Sequence, residues 1–252
     1  VAVGYQASKL MTTGVQNVVM GGLAGDALTT GSYNIAFGYN ALGSEDTGSG
    51  NVAIGHQTLQ DQDTGSNAFN VAIGFDAGKA VTTGIKNTLV GGSAGDALTT
   101  GSNNIALGYL ALTTEDTGSR SVAIGSFALH QQNNDSNNDN VAIGYNAGFA
   151  VTTGVDNTLI GALAGDAITS SSQNVAMGSN ALSALTIGTA NTAIGYRTLF
   201  ASVDGDHNTA VGYKALEDYE DGDGNGHNTA IGSKSQLNAT TGEFNTSLGS
   251  TA

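Results

Sequence analysis

Asn140-Val141-Ala142-Ile143-Gly144 is the stretch that decides how this chain folds. Variants of it recur along the whole length. Their closing glycines fall at 4, 21, 38, 55, 74, 91, 108, 125, 144, 161, 178, 195, 212, 232 and 249. Successive glycines therefore stand 17 apart, except for two steps of 19 and one of 20. A fixed period of this length marks a quasi-one-dimensional array in which each unit contacts its neighbours.

Each slot of the unit makes its own demand. The first is Asn in thirteen of fourteen units, as at Asn51, Asn140 and Asn191, and Ser121 is the exception. The second is Val, Ile or Thr in every unit, β-branched residues that suit a strand and disfavour a helix. The third is usually Ala, with Val19, Leu89, Leu159 and Ser247 as departures. The fourth is a large apolar residue in all fifteen units, including Ile54, Ile143 and Ile194. Gly closes every unit, as at Gly55, Gly144 and Gly195. Alternation along a strand puts slots two and four on one face and slot three on the other. Persistent apolarity predicts that slot four is buried, and the small slot three predicts close approach of another backbone.

The remainder of the unit predicts a second, shorter strand, as in Tyr39-Asn40-Ala41-Leu42, Tyr109-Leu110-Ala111-Leu112 and Tyr213-Lys214-Ala215-Leu216. A turn follows, commonly Thr-Thr-Gly or Asp-Thr-Gly, with Gly expected to supply positive φ. The Asn three residues later can bond its own backbone, and stacked Asn side chains can form a ladder along the axis. Proline is absent, which fits a stack that needs every rung's N–H. A longer period overlies the short one, since Val1 to Thr47 matches Val71 to Thr117 at an offset of 70. The predicted architecture is therefore all-β: a parallel β-roll or β-solenoid of about 15 rungs. It forms one repeat domain over residues 1–252, cut from a longer fibrous protein. Extra residues sit at Asn67 to Phe69, Asn133 to Asp139 and Asp218 to His227, where loops should bulge from one edge. At about 4.8 Å per rung the stack would be about 70 Å long.

Composition narrows the function. The net charge is −14, from 7 basic and 21 acidic side chains, which repels a nucleic-acid backbone. No apolar run is long enough for a membrane-spanning helix. Cysteine is absent, so there is no disulfide framework. Burying one large apolar side chain stabilises by about 1.5–3 kcal/mol, while ordering each residue's backbone costs about 1–2 kcal/mol. One chain's narrow lumen holds too little apolar volume to offset that comfortably. A homo-oligomer is the expected remedy, with slots three and four facing different interiors.

Repeats such as Asn191-Thr192-Ala193-Ile194-Gly195-Tyr196 and Asn208-Thr209-Ala210-Val211-Gly212-Tyr213 resemble the β-roll shafts of phage and cyanophage tail fibres. They are also similar to the head repeats of trimeric autotransporter adhesins, whose units are shorter, so the 17-residue unit fits the fibre kind better. The resemblance spans essentially the whole chain. It implies a left-handed roll in a homotrimer, an extracellular or virion-surface location, and a structural role in attachment to a cell-surface receptor or glycan. The runner-up it implies is the head or stalk of a bacterial adhesin.

Candidate chemistry is sparse, and no catalytic residue is expected. Asp221-Gly222-Asp223-Gly224-Asn225-Gly226 matches the opening of a calcium loop, in which closely spaced oxygens wrap a hard cation. Asp221, Asp223 and Asn225 are its candidate ligands. The twelfth-position Glu is replaced by Gly232, and Glu217, Asp218 or Glu220 would have to compensate. A calcium- or glycan-binding module on the 217–227 insertion is thus the reading from another functional class. No other cofactor is called for. The acidic pair Asp204 and Asp206 lies one rung earlier. Threonine pairs such as Thr12-Thr13 and Thr82-Thr83 read as turn chemistry, because adjacent strand residues point to opposite faces. His207 and His227 each precede a unit Asn and could stack. The recurring Tyr after the closing Gly could form an exposed stripe for sugars, but the preferred reading is that the rings cover rung edges or fill the seam of a trimer.

Overall fold

A computed structural model of the protein describes residues 1–220 and 226–252. It is a parallel β-solenoid, and each N-x-x-x-G unit contributes one short strand. Among the described residues none is helical, and no helix is long and apolar enough to cross a membrane. The strands are β1 (Ala2–Val3), β2 (Val18–Met20), β3 (Ile35–Phe37), β4 (Val52–Ile54), β5 (Val71–Ile73), β6 (Thr88–Val90), β7 (Ile105–Leu107), β8 (Val122–Ile124), β9 (Val141–Ile143), β10 (Thr158–Ile160), β11 (Val175–Met177), β12 (Thr192–Ile194), β13 (Thr209–Val211), β14 (Thr229–Ile231) and β15 (Thr246–Leu248).

The chain divides into two compact units: Val1–Ala123 with Asn133–Asn137, and Ile124–Gln132 with Asn138–Ala252. Strand β8 spans the division. In the first unit β1 to β7 pair in parallel and in chain order, with like slots in register, as in Ala53 opposite Ala72 and Ile54 opposite Ile73. In the second unit β9 to β15 do the same, as in Ala193 opposite Ala210. The sequence period is thus the rung period, and pairing slot on slot keeps one side-chain type per column.

The direction of the strand faces differs from expectation. Slot three, the Ala, points into the lumen and is fully buried, as at Ala36, Ala53, Ala106 and Ala193. Slots two and four point outward, and slot four is half-buried or exposed, with Phe37 at 48 % and Ile194 at 37 %. Ile54 and Ile143 are likewise only half-buried. The cause is size. So short a rung closes around a narrow lumen that accepts a methyl from the strand in most rungs and a larger side chain only where the facing arm gives up its Leu for Gly, so a second large strand side chain has no room there.

The arm after the closing Gly is not a strand. Tyr39 to Leu42 and Tyr109 to Leu112 run as turns, with left-handed φ at alternate residues: Asn40 and Leu42, Leu110 and Leu112 are all at 54°. The ladder still continues through these turns. Asn40 N–H donates to Gly22 O (2.9 Å) and Leu42 N–H donates to Thr58 O (3.0 Å), one rung on either side. Left-handed residues at every second position fold the arm sharply, which is how so few residues complete the circuit.

That arm supplies the larger share of the core, and it explains why its fourth residue is Leu or Gly. Where slot three is Ala, the facing arm residue is Leu in most rungs: Leu42, Leu59 and Leu112 are fully buried. Where slot three is Leu, Gly faces it from two rungs. A Cβ on Gly78 would sit 2.6 Å from Leu89 Cδ1, and one on Gly95 would sit 2.8 Å from Leu89 Cδ2. Leu159 is matched in the same way by Gly148 and Gly165. Lumen volume is conserved while the side chain that fills it changes wall, as expected of close-packed interiors.

The closing glycines are required twice over. Gly55 has φ of 138°, and a Cβ there would lie 2.0 Å from the carbonyl oxygen of Gly74 on the next rung. The turn glycine meets the expectation at Gly65 (60°) and Gly242 (121°) but not at Gly31 and Gly84, which do not take positive φ; a Cβ on these two would sit 2.4 and 2.3 Å from the carbonyls of Gly48 and Gly101. Positive φ falls instead on the residue just before the unit Asn, such as Tyr33 (60°) and Lys86 (58°).

Leu89→Ala should destabilise the chain by about 2–5 kcal/mol in urea unfolding, through the cavity left against Gly78 and Gly95. Adding Gly95→Leu, which recreates the Ala36/Leu42 arrangement, should recover part of that loss.

Candidate functional site

The repeat residues Asn51, Asn140 and Asn191 belong to a buried ladder, and their role is to finish the backbone hydrogen bonding at a corner. In the first unit Asn34 Oδ1 accepts from Asn51 N–H (2.9 Å), and Asn34 Nδ2 donates to Gly48 O (2.8 Å), the turn carbonyl fourteen residues on. In the second, Asn140 Oδ1 accepts from Asn157 N–H (2.9 Å), Asn140 Nδ2 donates to Gly154 O (2.7 Å), and Asn191 Nδ2 donates to Gly205 O (2.6 Å). The amide thus serves backbone groups on the neighbouring rung, and at Asn174 it also makes the expected bond to its own turn, donating to Ser171 Oγ (3.0 Å) and Ser172 O (3.2 Å). Asn carries both donor and acceptor, and each bond satisfies a backbone group that would otherwise be buried without a partner.

Exceptions in this ladder follow the insertions. The enlarged rung that begins at Asn51 displaces the acceptor, and Asn51 Nδ2 is buried without a partner. At the same place in the next super-repeat stands Ser121, which has no amide to orphan. Its N–H still donates to Asn104 Oδ1 (2.9 Å). Asn208, which precedes the longest rung, also has an Nδ2 without a partner among the described residues.

Outward-facing slots two and four form the most extended apolar surface in each unit. In the first, Val18, Met20, Ile35, Phe37, Ile73 and Ile105 are exposed. In the second, Met177, Ile194, Ile231 and Leu248 are. No slot-two or slot-four residue carries a charge. A surface this continuous and this free of charge is the kind that marks an interaction face.

Aromatic side chains line its margins in short stacks. Tyr39, His56 and Phe75 stack with centroids 5.5 and 5.1 Å apart, and Tyr196 stacks on Tyr213 at 5.7 Å. His207 stacks on His227 at 4.7 Å, and His227 on Phe244 at 5.0 Å. The rung spacing places like positions one above another, so these rings cover one another's faces. The Thr pairs act in turns, as expected: Thr12 Oγ1 donates to Thr29 O (3.0 Å) and Thr82 Oγ1 to Thr99 O (3.2 Å).

The calcium candidates Asp221, Asp223 and Asn225 lie outside the described residues. Of the compensating carboxylates, Glu217 is committed elsewhere. It is nearly buried and pairs with Lys214 Nζ (3.0 Å) and Arg197 Nε (2.7 Å), the latter an ion pair not aligned for a hydrogen bond. The Arg197 guanidinium also lies 4.0 Å from the centre of the Phe200 ring. Asp206 accepts from the backbone N–H and hydroxyl of Thr189. Another acidic group, Glu45, Asp46 and Asp63, is no better placed, because the buried Glu45 carboxylate already accepts four protein hydrogen bonds.

No family model matches the chain, and neither a curated protein nor a solved structure is significantly similar to it. Fold and site together define a β-solenoid repeat protein with 17-residue rungs, a framework compatible with a structural or adhesive role.

Asn34→Ser should cost about 2–4 kcal/mol, because it removes two buried backbone partners. Asn51→Ser should cost about half as much, roughly 1–2 kcal/mol, since its Nδ2 has no partner to lose and only the acceptor of Asn70 N–H (3.1 Å) is removed. Thermal or urea unfolding of the two variants checks the difference.

Proposed function

We propose that this chain is part of the non-enzymatic structural shaft of a homotrimeric attachment fibre of the phage tail-fibre kind, outside the cell or on a virion surface. The outward apolar face of slots two and four carries this reading. Such residues gain free energy when another surface removes them from water, by about 25 cal/mol per Å². A second and third copy are the partners that fit. The face is uncharged, so copies meet there without the repulsion that −14 per chain creates elsewhere. Three copies would carry −42, three times that value, which keeps finished fibres apart in solution.

Attachment would then fall to the edge loops, where the repeat is interrupted. Residues 65–67 and 135–137 are exposed between buried anchors, so they can vary without touching the lumen. The 17-residue unit favours the fibre kind over the bacterial adhesin. The flanking chain separates the two, since an autotransporter continues into a membrane β-barrel.

Sedimentation should give a particle of three times the chain mass of 25.1 kDa, and a stable compact monomer would overturn the reading. Ile143→Lys, which places a charge on the proposed interface, should weaken assembly by about 3 kcal/mol or more per copy, with circular dichroism unchanged at concentrations where the parent is trimeric.

A further inference from the structure

One interior position of the rung lies at the corner just before the turn, and its occupant changes along the chain. Leu28, Val81, Leu98 and Ile168 are fully buried there, as the narrow lumen requires. Between them the same position holds Glu45 with Gln62, and Glu115 with Gln132, all at 0 % exposure. A carboxylate among apolar neighbours is unfavourable unless hydrogen bonds replace its water.

At Glu45 they do. Oε1 accepts from Gly48 N–H (2.6 Å). Oε2 accepts from Gln62 Nε2 (2.9 Å), Thr64 N–H (3.3 Å) and Thr64 Oγ1 (3.2 Å). Gln62 passes the chain on, its Oε1 accepting from Asn70 Nδ2 (2.8 Å). The second copy has the same two ends. Glu115 Oε1 accepts from Gly118 N–H (2.7 Å), and Gln132 Oε1 accepts from Asn140 Nδ2 (2.9 Å).

These polar pairs coincide with the two enlarged rungs of the super-repeat. Leu28 to Asn34 and Val81 to Asn87 are steps of six, whereas Gln62 to Asn70 and Gln132 to Asn140 are steps of eight. The third copy is the internal control. Leu185 stands where Glu is expected, Ser202 stands where Gln is expected, and Ser202 to Asn208 is again a step of six. The Glu–Gln pair and the two extra residues are present together or absent together.

We infer that the buried Glu–Gln pair is a mounting that lets the solenoid carry an exchangeable surface loop. Two extra residues take the corner backbone out of register with its neighbour. The carboxylate substitutes as acceptor for Thr64 N–H on the near side of the loop. On the far side the chain rejoins the ladder at Ala68, which is buried and whose O accepts from Lys86 N–H (2.8 Å). Asn138, the matching residue of the second loop, is buried too, and its O accepts from Asp156 N–H (2.9 Å). Between such anchors residues 65–67 and 135–137 face solvent. The two loops, Thr64-Gly-Ser-Asn-Ala-Phe69 and Asn134-Asp-Ser-Asn-Asn-Asp139, share only their central Ser and Asn. This inference rests on the local network and not on the fibre reading, so either can fail alone.

A four-member cycle on the full chain tests it: parent, E45L/Q62S, deletion of residues 65–66, and the two changes combined. E45L/Q62S should lower the melting temperature and speed exchange of the Thr64 amide by about tenfold or more. Adding the deletion should restore stability, because it rebuilds the Leu185/Ser202 rung. Stability of E45L/Q62S equal to the parent, or a combined variant no better than the sum of its parts, would overturn the inference. In a separate variant residues 64–69 are replaced by the sequence of 134–139 with Glu45 and Gln62 kept. It should melt within a few degrees of the parent, and loss of fold there would also overturn it.

Discussion

One buried primary amide per rung holds the architecture together. Strands this short supply few ladder bonds, and at every corner the backbone turns inward with donors and acceptors that the strand register does not reach. The Asn side chain supplies both complements at once, an acceptor for the next rung's N–H and a donor to a turn carbonyl. Repeating the residue at the rung period repeats the solution. Where an insertion breaks the period the solution fails, and the orphaned Nδ2 of Asn51 and the Ser at 121 are two different responses to that failure.

Narrowness is the second consequence. Rungs that approach closely enough for the closing glycines to exclude a Cβ enclose a lumen in which, beside the corner position, only one large aliphatic side chain fits between strand and arm. The strand wall and the turn wall share that space, with Ala against Leu or Leu against Gly. Slots two and four of the strand are turned outward. The same constraint that makes the interior small therefore creates the apolar exterior on which the proposed assembly rests. Surface variation is pushed to the corners, where a buried carboxylate can stand in for missing ladder bonds and release a loop.

Much of this is legible in the residues. The glycine spacing specifies the rung, the alternation specifies strands, and the recurring Asn points to a ladder. Within the single chain three expectations are not met, each for a geometric reason. Apolarity at slot four reads as burial, but a two-residue alternation says only that slots three and four face opposite ways, not which of them enters the chain's own lumen. The arm after the closing Gly reads as a strand from its Tyr, Ala and Leu. It is a series of turns because residues such as Leu42 and Leu112 adopt left-handed φ that propensity disfavours and neighbouring rungs impose. The turn Gly reads as a source of positive φ, which Gly65 and Gly242 do adopt, but at Gly31 and Gly84 it is there for its missing Cβ. A subtler signal also lies in the residues: Gly replaces Leu in the arm around each slot-three Leu, at Leu89 and at Leu159. Of the candidate site residues, the Asn, Ile and Gly of the repeat are placed in structural columns, and Glu217 is held by two cations.

By itself the sequence determined the period, the parallel in-register stacking and the residue types each column tolerates, because a one-dimensional array writes its contacts into a fixed spacing. The tertiary structure alone decided which face became the interior and what the buried Glu45, Gln62 and Ser121 are for. Those questions depend on the width of the lumen and on contacts between neighbouring rungs, and neither is set by the local pattern of any one rung.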